Sequence, residues 1–122
     1  MRLDRWQGLH SFFSSFGLIA YDESSVPDNA TMPYITYTAA VDSFDTPVVI
    51  SCDLWYQSTS WAAISKKAEE ISNYLGNGGV MLSITDGGLW ITRGSPFAQR
   101  INEESDTIKH IYIVLMCEFI TD

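Results

Sequence analysis

The chain is poor in the residue types on which most site chemistry rests. It has two cysteines and two histidines in 122 residues, and neither type recurs at the short spacings by which Cys and His ligands hold zinc. Cys52 and Cys117 each sit in an apolar row, so the expectation in a reducing compartment is a pair of buried free thiols rather than a disulfide. Basic side chains are also scarce. Seven Lys and Arg stand against fifteen Asp and Glu, for a net charge of −8, and only Lys66 and Lys67 are adjacent. That balance opposes tight wrapping of nucleic acid, which works by neutralising phosphates. No apolar run approaches the ~20 residues that span a bilayer. The opening Met1-Arg2-Leu3-Asp4-Arg5-Trp6 has charges but no apolar block or small-residue cleavage site behind it. The expected location is therefore the cytoplasm in which the chain is made, without a membrane partner.

Catalytic templates are missing as well. There is no Gly-x-Ser-x-Gly elbow, and Gly94-Ser95-Pro96 lies in an apparent loop without the strand-turn-helix context that exposes a nucleophile. The glycines at 76, 78 and 79 follow a helix and precede a strand, the reverse of a phosphate-cradling loop, and read as a helix stop. Asp53 is the one carboxylate flanked by clear strand on both sides. A general base with a raised pKa is one reading of it; a carboxylate paired with a backbone or Arg partner at an interface or sheet edge is the favoured one. The expectation is no enzyme, no cofactor and no metal.

What the chain does have is apolar and aromatic content, 46% and 13%, enough to argue against disorder and for one domain spanning residues 1–122 with a real core. Leu3, Trp6, Leu9, Phe13 and Phe16 recur at three and four residues and predict a first helix over 3–16, which Gly17 can end. Residues 17–32 read as a surface connection with a short extended piece at Leu18 to Tyr21. Strands are expected over 33–40 and 47–57, joined by a turn at Asp42 to Asp45. A second helix over 61–75 follows, with Ser60 as its N-cap and Trp61, Ile64, Ala68, Ile71 and Leu75 on one face. A tight hairpin pairs 80–85 with 89–93, residues 94–106 form a loop, and a last strand runs over 107–120. The fold class is α+β, a mostly antiparallel sheet of about five strands with two helices packed chiefly on one face.

Both long strands are two-faced. Val48, Ile50, Cys52, Leu54 and Tyr56 form an unbroken apolar row, as do Ile111, Ile113, Leu115, Cys117 and Phe119. The opposite rows mix Val49, Asp53, Trp55 and Gln57 with Tyr112, Val114 and Met116. Either an element of the same chain covers that second surface, or it is a self-association surface, since interface patches mix aromatics and Met with polar groups. Asp53, Trp55, Gln57, Tyr112, Val114 and Met116 are the candidate interface residues.

The amphipathic first helix is followed by Gly17-Leu18-Ile19-Ala20-Tyr21, Val26-Pro27, Pro33-Tyr34-Ile35-Thr36-Tyr37, Asp53-Leu54-Trp55-Tyr56, Ser60-Trp61 opening a helix, and Gly94-Ser95-Pro96-Phe97 before the last strand. In that order the pattern, over most of the chain, resembles the tail terminator (tail completion) proteins of long-tailed bacteriophages, the siphophages. No single motif of such small virion proteins is diagnostic. The resemblance implies a non-enzymatic virion protein that forms a ring with copies of itself, typically a homohexamer, at the neck end of the tail. Assembled in the host cytoplasm, the ring would stop tail tube polymerisation and give the head-side connector a docking surface, with DNA passing through unbound. Six copies at −8 each carry about −48, which suits a channel that does not retain DNA. Loops at 41–46, 86–88 and 94–106 are the expected contacts with the tail tube protein or the neck, and Asp42, Phe44, Asp45, Asp86, Pro96, Phe97 and Arg100 are the candidate residues in them. The alternatives are another head–tail joining protein, or a monomeric cytoplasmic adaptor that uses the mixed face to bind a ligand.

Overall fold

The computed structural model describes residues 4–38, 48–85 and 87–121. The elements in chain order are α1 (Arg5–Ser14), β1 (Ile19–Asp22), β2 (Tyr34–Tyr37), β3 (Val48–Gln57), α2 (Ala62–Leu75), β4 (Val80–Ile84), β5 (Gly87–Ile101) and β6 (Ile108–Thr121). One sheet holds all six strands in the order β1-β2-β3-β6-β5-β4. Among the described residues only β1 and β2 run parallel; every other pairing is antiparallel.

α1 starts where the sequence offers a cap. Asp4 and Gln7 form a reciprocal capping box, the Gln7 N–H donating to Asp4 Oδ1 at 2.8 Å and the Asp4 N–H to Gln7 Oε1 at 3.0 Å, satisfying two N–H groups the helix leaves orphaned. Its buried stripe is Leu9, Phe12 and Phe13, extended past the helix end by Phe16; Trp6, expected on that stripe, is 47% exposed at the rim. α1 packs against β1 and against β4, the two opposite edges of the sheet, so the sheet curls around it. Phe13 stacks on Tyr37 of β2 with centroids 4.9 Å apart. At the other side Gly8 lies so near β4 and β5 that a Cβ there would stand 2.8 Å from Ile84 Cγ2.

α2 lies on the same face, across β3, β5 and β6, and buries Ile64, Ala68, Ile71 and Leu75. It begins one residue later than its sequence spacing suggests. Trp61 occupies the cap position without a side-chain bond, while Ser60 Oγ accepts the Ala62 N–H at 3.0 Å. Lys67 ties the helices together, its Nζ donating to the Phe16 carbonyl at 2.6 Å and to Glu70 at 3.1 Å. Beneath both helices the inward rows of the central strands are sealed: Ile50, Cys52 and Leu54 of β3 and Ile111, Ile113, Leu115 and Cys117 of β6 are all buried.

Two differences from the sequence expectations bear on the site. The sheet has six strands rather than about five, because the short extended piece at β1 joins it. The segment expected as a loop over 94–106 is strand as far as Ile101. β5 pairs Arg93 with Leu115 and Ala98 with Ile113, leaving Gly94 to Phe97 as a bulge opposite Val114. Gly94 permits it: a Cβ there would stand 2.7 Å from the Val114 carbonyl oxygen. The connection between β5 and β6 is accordingly only residues 102–107.

Candidate functional site

The face of the sheet turned away from α1 and α2 carries the candidate interface residues. Pairing of β3 with β6 sets Val49 beside Met116, Ser51 beside Val114, Asp53 beside Tyr112 and Trp55 beside His110. Asp53, Trp55, Tyr112, Val114 and Met116 thus lie in two touching rows, each half-buried, with Gln57 exposed at the row's end opposite Ile108. The flanking strands widen the face, placing Tyr34, Thr36 and Thr38 on one side and Thr92, Gln99 and Ile101 on the other. Val49 is 61% and Met81 55% exposed, a level of apolar exposure that marks a contact surface when it is contiguous.

At the centre is a cluster no sequence spacing announces. The His110 ring stacks on Trp55 with centroids 3.8 Å apart and planes 18° from parallel. Its Nε2 lies 2.5 Å from Asp53 Oδ1 and its Nδ1 3.0 Å from Glu103 Oε1. The Trp55 indole N–H donates to Thr36 Oγ1 at 3.1 Å. The partner of Asp53 is thus a histidine, not the backbone or Arg partner expected. The ring bridges Asp53 on β3 to Glu103, and so fastens the 102–107 connection to the sheet. Both ring nitrogens are engaged with carboxylates, and one ring face is covered by Trp55. The carboxylates sit on opposite nitrogens, and among the described residues no group of three or more His, Cys, Asp or Glu could hold a metal ion.

Beside this cluster the face dips into a groove of about 620 Å³ between Met32, Tyr34, Trp55 and Ile108, with Glu103, Glu104 and Ser105 on its rim. A smaller hollow of about 230 Å³ lies at the far end, lined by Trp90, Thr92, Met116, Cys117 and Glu118. The two thiols offer no reactive site. Burial, with Asp53 next to it, pushes the Cys52 thiol far up, and burial pushes Cys117 up to about 11.

The expected contact loops fare differently. Asp42, Phe44, Asp45 and Asp86 lie outside the described residues. Pro96 is exposed on the β5 bulge, and Phe97, expected in a polar loop, is half-buried with its ring packed against the core. Arg100 belongs to the helix side of β5, its guanidinium donating to Ser65 Oγ at 3.3 Å and lying 4.8 Å from the Trp61 ring centroid. None of these three joins the cluster on the open face.

No family model and no curated protein matches the chain. Among solved structures it is similar to a chain of one described as the virion of native gene transfer agent (GTA) particle, with a TM-score of 0.62 over 95% of this chain and 94% of that one, at 17% identity. The two share a fold.

Proposed function

We propose that the chain is a non-enzymatic virion structural protein that assembles into a ring, typically of six copies, closing the end of a tail tube and presenting a docking surface to the head. The observation that carries the reading is the open, half-apolar sheet face, on a fold shared with a chain of a virion particle. The sequence resemblance to tail terminators points the same way. A ring needs a heterologous interface, two different patches on each subunit. The open face and the helix-bearing face are two such patches, and the Asp53–His110–Glu103 bridge keeps the first one rigid.

A monomeric module that seats a ligand in the groove beside Trp55 is the second reading, favoured by the groove's size, which falls within the ~300–1,000 Å³ of ligand sites. Light scattering of the purified chain, with negative-stain imaging of the chain mixed with the tube protein of the same particle, separates the two. Rings on tube ends are expected. A strictly monomeric protein that leaves tubes uncapped would sink the ring.

A further inference from the structure

The end of the sheet where β3 and β5 finish and β6 begins is electrically polarised through its thickness. On the open face lie Asp53 and Glu103, both bonded to His110, and Glu104 beside them, and Glu118 lies on the same face further along; this face carries no Lys or Arg among the described residues. On the helix side of that end, α2 and the strand residues beside it carry Lys66, Lys67, Arg100 and Lys109 against Glu69 and Glu70, while Arg93 lies further along, bonded to Ser72 and Asn77. Glu70 is already paired with Lys67. Arg100 and Lys109 converge on the Trp61 ring, 4.8 and 5.5 Å from its centroid. Arg100 donates to Ser65 Oγ and Lys109 to the Asp106 carbonyl, both neutral oxygens, although Glu69 lines the hollow beside Arg100.

The groove on the open face has the chemistry of a cation site. Its floor is two aromatic rings, Tyr34 and Trp55, with Met32 and Ile108, and its rim is Glu103 and Glu104. An aromatic face attracts a guanidinium or ammonium, and a carboxylate beside it adds a charge-assisted hydrogen bond. Trp55 is held in place by the His110 stack and the bond to Thr36, so little side-chain freedom is lost when a cation arrives.

We propose that the groove is the docking site for the Arg100–Lys109 patch of a second copy of this chain. The contact is open face to helix face, head to tail, and it names the two surfaces of the ring on which this inference rests. Opposite charge on the two faces of one end makes each copy complementary to the next, whereas like faces meeting would repel. Such a contact repeats around a closed ring.

Charge exchange tests it. Glu104→Lys alters an exposed side chain and is expected to leave the melting temperature unchanged. Arg100→Glu also gives up the Ser65 bond and the Trp61 contact and is expected to lower it by a few degrees, with the monomer still folded by circular dichroism. Each variant alone should self-associate at least tenfold more weakly than the wild type in sedimentation velocity. An equimolar mixture should recover wild-type association, with native mass spectrometry showing the two chains in equal number, and the double variant should also recover. Association should weaken as salt is raised. The proposal is overturned if either variant associates as tightly as the wild type, if neither the mixture nor the double variant recovers, or if the wild-type chain stays monomeric up to its solubility limit. Single variants that still form rings on tubes would overturn this contact and leave the ring standing; a wild type that neither self-associates nor caps tubes would overturn both.

Discussion

Trp55→Ala separates what the open face contributes to one subunit from what it contributes between subunits. In the monomer the indole has two specific attachments, the stack on His110 and the N–H bond to Thr36 Oγ1. An aromatic stack contributes about 0.5–1.5 kcal/mol beyond area, and a hydrogen bond about the same. Thr36 is only 6% exposed, so its hydroxyl is poorly placed to exchange the lost donor for water. With a modest loss of apolar contact the sum is about 2–3 kcal/mol, below the ~3–5 of a buried Trp→Ala because one side of the ring is not packed in the monomer. For a chain of this length each kcal/mol moves the midpoint by roughly 3–6 °C, so thermal unfolding followed by circular dichroism should shift down by about 10 °C. Trp55→Phe, keeping a ring but no N–H, should lose about 1 kcal/mol. Urea midpoints, with light scattering to confirm a folded monomer, check both. A loss above about 4 kcal/mol would refute the reasoning, since that is the value of a ring enclosed on all sides. A loss under about 0.5 kcal/mol would equally refute it, because the stack and the bond would then contribute nothing.

Three further outcomes are expected. Gly79→Ala should destabilise by about 2–4 kcal/mol, because Gly79 has φ +79 and its Cβ would meet the Ile91 carbonyl oxygen at 2.5 Å, whereas Gly78→Ala, with nothing within 4 Å, should be neutral in the same urea titration. Phe97→Ala should lower stability by about 1–3 kcal/mol in that titration, because the ring packs on the core from the bulge; a change under about 0.5 kcal/mol would put Phe97 back in the role of a free contact residue. Neither cysteine should react with a thiol reagent in the folded protein at neutral pH, and stability should decline above pH 9. There the unfolded Cys117 loses its proton while the folded thiol keeps it up to about 11, so the folded state is favoured fully below 9 and progressively less above it. Cys52, Tyr37 and Tyr56, pushed up by burial, act in the same direction, and Cys117→Ala should flatten part of that slope.

The inward rows were legible because a buried strand face selects apolar residues at every second position, and Val48 to Tyr56 and Ile111 to Phe119 do so without interruption. The same alternation exposed the second face. The extended piece at β1 was legible but its place in the sheet was not, because its parallel partner lies beyond a crossover of breakers. The bulge escaped because Gly94, Ser95 and Pro96 look like a loop; that the ladder resumes at Ala98 depends on Val114, which only the pairing supplies. His110 escaped for the same reason. On its own strand it is one polar residue in a mixed row, and its link to Asp53 and Trp55 exists only once β3 and β6 are in register.

The curl of the sheet around α1 sets an order of events during synthesis. Gly8 meets Ile84, 76 positions later in the chain, so α1 leaves the ribosome well before its closing partner among the later strands. At ordinary elongation rates that interval is roughly 4–15 s. Throughout it Leu9, Phe12, Phe13 and Phe16 have no far wall to pack on, and β4, the edge that α1 will cover, does not yet exist. Translation speed across residues 20–84 therefore governs how long a sticky aromatic helix waits in the cell.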